Sequence, residues 1–292
     1  MKRAILCVLL CVFSLSAYCA NDRGLFWQLK SEGATVYLFG SIHLADKGFY
    51  PLRSEVEEAF ATADTLAVEA DILNADPVME QQLMFQYGMY PAGQKLNDHI
   101  SEQAFNQLKS ALIEHQLPLP EAMFSRMRPG MLMVTLGYMA AMKTGLDVQY
   151  GLDLHFLKQA GKDGKQIVEL EGSKKLMKML GEIGPAEFII EETLKQLGET
   201  VELMQPLVEA WKSGDEKTMV QLAIETMDSG SPESDALVET FLYSRNRGMA
   251  DKVKGFIKQG GTYFVVAGSA HFVGDKGVPA LLREAGFKVK RL

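Results

Sequence analysis

The sequence predicts an α/β fold: a mixed central sheet built from both chain ends, with large helical insertions between them. Three observations predict it. Apolar, β-branched runs cluster toward the two ends of the chain, helical periodicity dominates the middle, and a nearly identical five-residue segment follows one strand at each end.

Leu25–Leu29 and Thr35–Phe39 flank the turn-like Ser31-Glu32-Gly33 and read as a hairpin. A helix over Leu52–Ala61 and a strand over Thr65–Glu69 follow. Helical periodicity then runs through Met79–Tyr87, Glu102–His115, Met131–Lys143, Leu154–Ala160, Lys174–Leu180, Pro185–Leu197 and Val201–Trp211. One strand interrupts it: Lys165–Glu171 follows Gly161-Lys162-Asp163-Gly164, a composition that ends a helix and returns the chain to the sheet. A helix over Asp235–Gln259, a strand over Thr262–Ala267, a helix over Val278–Ala285 and a strand over Phe287–Arg291 close the chain. The mostly helical stretch at about 77–240 is therefore an insertion in one domain over residues 21–292.

Residues 1–20 read differently. Met1-Lys2-Arg3 precedes an apolar run from Ala4 to Phe13 and a small-residue exit ending Cys19-Ala20, the pattern of a secretory signal peptide. The expectation is a periplasmic or secreted protein with no integral membrane span after cleavage; an uncleaved N-terminal anchor is the alternative. Cys7, Cys11 and Cys19 all lie in this segment, so the exported part has neither disulfides nor thiolate ligands. The net charge of −7, without any basic cluster interleaved with aromatics, argues against nucleic acid or an anionic membrane surface as partner.

The chemistry centres on Gly40-Ser41-Ile42-His43-Leu44 and Gly268-Ser269-Ala270-His271-Phe272. Each places a histidine just past a strand's carboxyl end, where open α/β sheets bind ligands, so His43 and His271 can meet over one substrate. Glu69 ends the strand beside the first motif, and Asp71 follows at period two on the same face. Two imidazoles and a carboxylate make a site for a divalent metal such as manganese, cobalt or zinc, against the simpler reading of Glu69 as a solvated strand edge.

Glu169 and Glu171 repeat that spacing on the inserted strand; Glu171 is the better placed, with helix capping as its structural reading. Arg245 and Asn246, in a helical run, are candidates for oxyanion or carboxylate binding, or else ordinary helix-surface residues. Asp153 reads as a helix cap, His155 as a weak extra ligand, and His99 and His115 as surface. The methionines of Met123–Met142 read as core filler, with a soft peptide-binding groove as the second reading. His-Glu-x-x-His, Walker and Gly-x-Ser-x-Gly motifs are absent.

Gly40-Ser41-Ile42-His43, Val68-Glu69, Gly151-Leu152-Asp153, the Lys165–Glu171 strand, Arg245-Asn246 with Met249-Ala250, and Gly268-Ser269-Ala270-His271 occur in an order that resembles the TraB/GumN (PrgY, Tiki-like) family. The resemblance covers the chain after the signal peptide. It implies a ChaN/Tiki-like fold, a metal site made by His43, Glu69 and His271, and auxiliary roles for Arg245 and Asn246. Glu171 is followed by Gly172 where the family often has threonine, so the match is weaker there. Tiki-like members are metal-dependent proteases, pheromone-shutdown members act on or sequester small peptides, and the wider superfamily includes haem-binding proteins.

The expected function is an exported metal-dependent hydrolase, peptidase-like, acting on a peptide or protein substrate, with Asp71 or Glu171 taking a proton from water. The alternatives are a non-catalytic peptide-sequestering or haem-binding protein of the envelope, or an assembly factor in which the histidines are structural.

Overall fold

The computed structural model describes residues 22–292; the segment read as a signal peptide lies outside them. Six strands form one sheet in the order β4-β3-β5-β2-β1-β6. They are β1 (Leu25–Ser31), β2 (Ala34–Ser41), β3 (Thr65–Val68), β4 (Gln166–Glu169), β5 (Gly261–Gly268) and β6 (Val289–Arg291). β2, β5, β3 and β4 run parallel, and β1 and β6 add an antiparallel edge. Gly33, with φ 83°, lets the β1–β2 hairpin turn in two residues. β5 sits between β2 and β3, so Phe264, Val265, Val266 and Ala267 are all buried, and the strand is continuously apolar instead of alternating.

Twelve α-helices accompany the sheet among the described residues. They are α1 (Ser54–Thr62), α2 (Pro77–Leu83), α3 (Glu102–Glu114), α4 (Glu121–Phe124), α5 (Pro129–Met142), α6 (Leu152–Asp163), α7 (Ser173–Gly181), α8 (Ala186–Ser213), α9 (Glu216–Ala223), α10 (Pro232–Val238), α11 (Ser244–Gln259) and α12 (Val278–Glu284). The inserted helices build a core of their own around Leu96, Leu108, Leu132, Leu136 and Ile190, apart from the main core packed on the sheet. None of the described helices is long and apolar enough to cross a membrane.

The structure differs from the sequence reading at several boundaries. The two helices expected over Pro185–Leu197 and Val201–Trp211 are one 28-residue helix, α8, that runs through Gly198 and Pro206. A mid-helix glycine costs only about 1 kcal/mol, and burial of Ile189, Ile190, Leu197, Ala210 and Trp211 outweighs it. The helix expected over Asp235–Gln259 is interrupted by a π-helical turn, Glu239–Tyr243, between α10 and α11. β3 and β4 stop at Val68 and Glu169, which leaves Glu69 and Glu171 beyond the strands.

Trp211 ties the insertion to the sheet. Its Nε1 donates to the Gly40 carbonyl at 2.7 Å, and its ring packs on Phe39 and Phe49 with centroids 6.0 and 5.4 Å away. The far end of α8 is thereby fixed against the first histidine motif.

Candidate functional site

β2 and β5 are adjacent, and their register pairs Gly40 with Ala267 and Ser41 with Gly268, so the twin motifs leave the sheet together at its carboxyl edge. Ser269 Oγ donates to the Ser41 carbonyl at 2.7 Å, which links one motif to the other. His271 lies in a 3-10 turn and is buried, whereas the His43 side chain is 46% exposed. β3, on the other side of β5, delivers Glu69 to the same edge. Gly268 leaves the room required: a Cβ there would stand 3.1 Å from His43 Nε2 and 3.5 Å from Glu69 Oε1.

Both imidazoles face Glu69. His43 Nε2 is 4.0 Å from Oε1, and His271 Nε2 is 3.8 Å from Oε2. The other ring nitrogens are held from behind. His43 Nδ1 is 2.8 Å from Asp153 Oδ2, and Asp153 Oδ1 accepts from Ser41 Oγ at 2.8 Å. His271 Nδ1 is 2.6 Å from Asn246 Oδ1, whose amide is oriented by Nδ2 donating to the Lys276 carbonyl at 2.8 Å. Carboxylate and amide oxygens only accept, so each Nδ1 carries a hydrogen and each Nε2 is turned to Glu69.

The electrostatics set the three groups apart. The charge of Asp153 raises His43 to about 9, against the cost of burial. Burial pushes His271 down to about 4, so at neutral pH it is an uncharged imidazole. Burial also opposes charge on Glu69, yet His271, Arg245, His43 and the Gly268 N–H hold its carboxyl at about 2. Gly268 N donates to Glu69 Oε1 at 2.8 Å, and the Arg245 guanidinium is in direct contact with Oε2.

Arg245 is itself buried and fully engaged. Its Nε donates to Glu171 Oε2 at 2.8 Å and its Nη1 to the Phe241 carbonyl at 3.1 Å. Lys175 meets the other Glu171 oxygen at 2.9 Å. The result is a chain of alternating charge, Glu69, Arg245, Glu171 and Lys175, that starts at the histidines and ends on the exposed Lys175.

The structure thus brings together His43, Glu69, Glu171, Arg245, Asn246 and His271. It does not bring in Asp71. That carboxylate accepts from the Asn74 backbone and side chain at 3.2 and 2.8 Å, while its own N–H donates to Glu169 Oε1 at 2.8 Å. β3 has already ended at Val68, so strand alternation no longer puts Asp71 on the face of Glu69. His155 packs on Tyr50 with the rings tilted and His99 stacks on Tyr90, with ring centroids 4.7 and 4.3 Å apart.

Sequence reasoning assigned Asp153 to helix capping. The α6 N-cap is Gly151, and the Asp153 side chain serves His43 and Ser41 instead. Its place in Gly151-Leu152-Asp153 was the one available signal. Tyr138 carries no signal in the sequence: α5 places it, with Val134, beside His43. Two apolar lobes of about 260 and 310 Å³ meet at His43, Val134, Tyr138 and Phe241.

Among the described residues, no three His, Cys, Asp or Glu side chains stand close enough around one point to hold an ion as they are. A tetrahedral ion with bonds of about 2.0–2.2 Å needs donors roughly 3.4 Å apart. The 3.8 and 4.0 Å separations at Glu69 exceed that by only a few tenths of an ångström. Once the cation displaces the second proton of His43, two Nε2 atoms and a carboxylate, with both Nδ1 atoms anchored, are by chemistry a donor set for a borderline divalent cation.

A model of the TraB/PrgY/gumN family matches residues 25–291. The chain belongs to this family. The matched range of this TraB/PrgY/gumN protein includes both histidine motifs and every side chain of the site. Over 248 residues it is 25% identical to proteins described as "Uncharacterized protein YbaP" from Escherichia coli K12 and from Shigella flexneri, covering 85% of this chain and 87% of each relative. No solved structure matches.

Proposed function

We propose that this chain is an exported, metal-dependent hydrolase that cleaves peptide bonds. The observation that carries this reading is the convergence of His43 Nε2 and His271 Nε2 on Glu69, with each Nδ1 fixed by a separate acceptor. A divalent manganese, cobalt or zinc ion held by His43, Glu69 and His271 would supply Lewis acidity and lower the pKa of a bound water.

The chain's own residues supply the rest. Asp153 and Asn246 keep a proton on Nδ1 of each imidazole and so orient the Nε2 atoms. Arg245 keeps Glu69 charged and in place, and Glu171 and Lys175 balance Arg245 in turn. Glu171 is bound to Arg245 and Lys175 and Asp71 is turned to Asn74, so neither is free to take a proton from water, and Glu69, held by Arg245 and the Gly268 N–H, would serve as the anionic ligand. Val134, Tyr138 and Phe241 line the cleft beside His43 and Glu69. An apolar cleft over a charged floor suits a peptide, whose side chains need the one and whose carbonyl needs the other. The likeness of the twin motifs to those of Tiki-like metal proteases supports the same reading.

The test is hydrolysis of a peptide mixture by the purified protein, with metal content measured beside it and His43→Ala as control. We expect cleavage and about one metal per chain in the wild type, and loss of both in the variant. Cleavage that survives exhaustive chelation overturns metal dependence; peptide retained without cleavage makes the site a sequestering one, and a Soret band makes it a haem site.

A further inference from the structure

Gly137 lies in the middle of α5, and a Cβ built on it would meet no atom within 4 Å. Glycine weakens a helix interior relative to alanine. No close neighbour demands one here, so the space over Gly137 belongs to the cleft and not to a helix contact. That space is the lobe of about 310 Å³, roughly ten water volumes, walled by Met133, Val134, Met204, Met227, Leu237 and Phe241.

The lining restricts what can enter. No Asp, Glu, Lys or Arg side chain borders this lobe, and the one imidazole that does, His43, turns its nitrogens to Asp153 and Glu69, so a charged group would find no free counter-charge there. Three thioethers give a wall that adapts to apolar side chains of different outline. His43 also borders the lobe, and across that imidazole lies the second lobe, which holds Glu69 and Arg245. A chain laid across His43 therefore places the residue on one side of it over Gly137.

We propose that the Gly137 lobe is a side-chain subsite for a large uncharged residue, of the leucine, methionine or phenylalanine kind, next to the bond held at His43, Glu69 and His271, and that Gly137 sets its depth. The proposal takes the nature of that bond from the hydrolase reading; the shape and polarity of the lobe do not depend on it.

The test uses the purified protein and short blocked peptides that differ at one position: Ala, Leu, Met, Phe, Asp or Lys. Affinity is read from the methyl resonances of Met133, Met204 and Met227, and cleavage from the products. We expect the Leu, Met and Phe peptides to bind roughly tenfold more tightly than the Ala peptide, the Asp and Lys peptides to bind no better than Ala, and Gly137→Leu to erase the preference while leaving metal content unchanged. Gly137→Ala, which favours the helix, gives a partial loss and serves if the leucine variant does not fold. Equal affinity for all six peptides, or an unchanged preference in both variants, overturns the subsite whether or not the peptides are cut. Graded affinity without cleavage supports the subsite and counts against the hydrolase reading.

Discussion

Asp153 Oδ2 takes the Nδ1 hydrogen of His43 at 2.8 Å, while its other oxygen holds Ser41 of the same motif. One carboxylate near the start of α6 thereby fixes both the orientation of the first histidine and the strand end that carries it.

The pH behaviour of that contact follows from its sign. The His43 pKa is raised from 6.5 to about 9, so the pair contributes stability that is fully present below pH 6.5 and is lost as pH rises through about 9. Asp153→Asn should therefore melt below the wild type at pH 6, and the gap should close toward pH 9.5. NMR titration should show the His43 midpoint falling toward its ordinary value. A midpoint that stays near 9 would mean another group holds the proton.

Glu69→Gln has two expected effects. It should weaken metal affinity by at least roughly tenfold, about 1.4 kcal/mol. It should also lower the stability of the metal-free protein, because Arg245 loses one of its two carboxylates. The Glu69 pKa is depressed from 4.5 to about 2, so this stability is present above pH 4.5 and is lost as pH falls through about 2; its size is at most about 3 kcal/mol at neutral pH. Equal melting curves for variant and wild type at pH 7 would show that the Arg245 contact contributes nothing.

Arg245→Met should be more damaging than Arg245→Lys. Methionine leaves Glu69 and Glu171 facing each other without a cation between them, and breaking a buried pair in this way costs about 3–5 kcal/mol. Denaturant unfolding at neutral pH measures it, and a drop in pH should partly rescue the methionine variant by protonating a carboxylate.

If His43 and His271 hold one ion, alanine at either should remove nearly all bound metal, and the double substitution should add little. Metal analysis of the three variants decides it. Two half-losses that add would make them independent groups.

Chelation should abolish hydrolysis, and manganese, cobalt or zinc should restore it, because the donors are nitrogen and oxygen with no thiolate. Activity in rigorously metal-free protein would leave the imidazoles and Glu69 as an acid–base set.

Local chemistry made much of this protein legible. The β1–β2 hairpin, the position of β5 and the two glycine-terminated motifs are written in short-range patterns of β-branched runs and turn residues, and so were His43, His271 and Glu69 as residues at one sheet edge. What tertiary structure alone decided is where side chains point once a strand has ended. Asp71 turned away at the end of β3, and Asp153 left its expected capping role to meet His43 across 110 positions of sequence. Arg245 came to lie between Glu69 and Glu171, which are delivered by two different strands. Such pairings depend on how α6 and α11 pack on the sheet, and packing is a property of the whole chain that no window of residues contains.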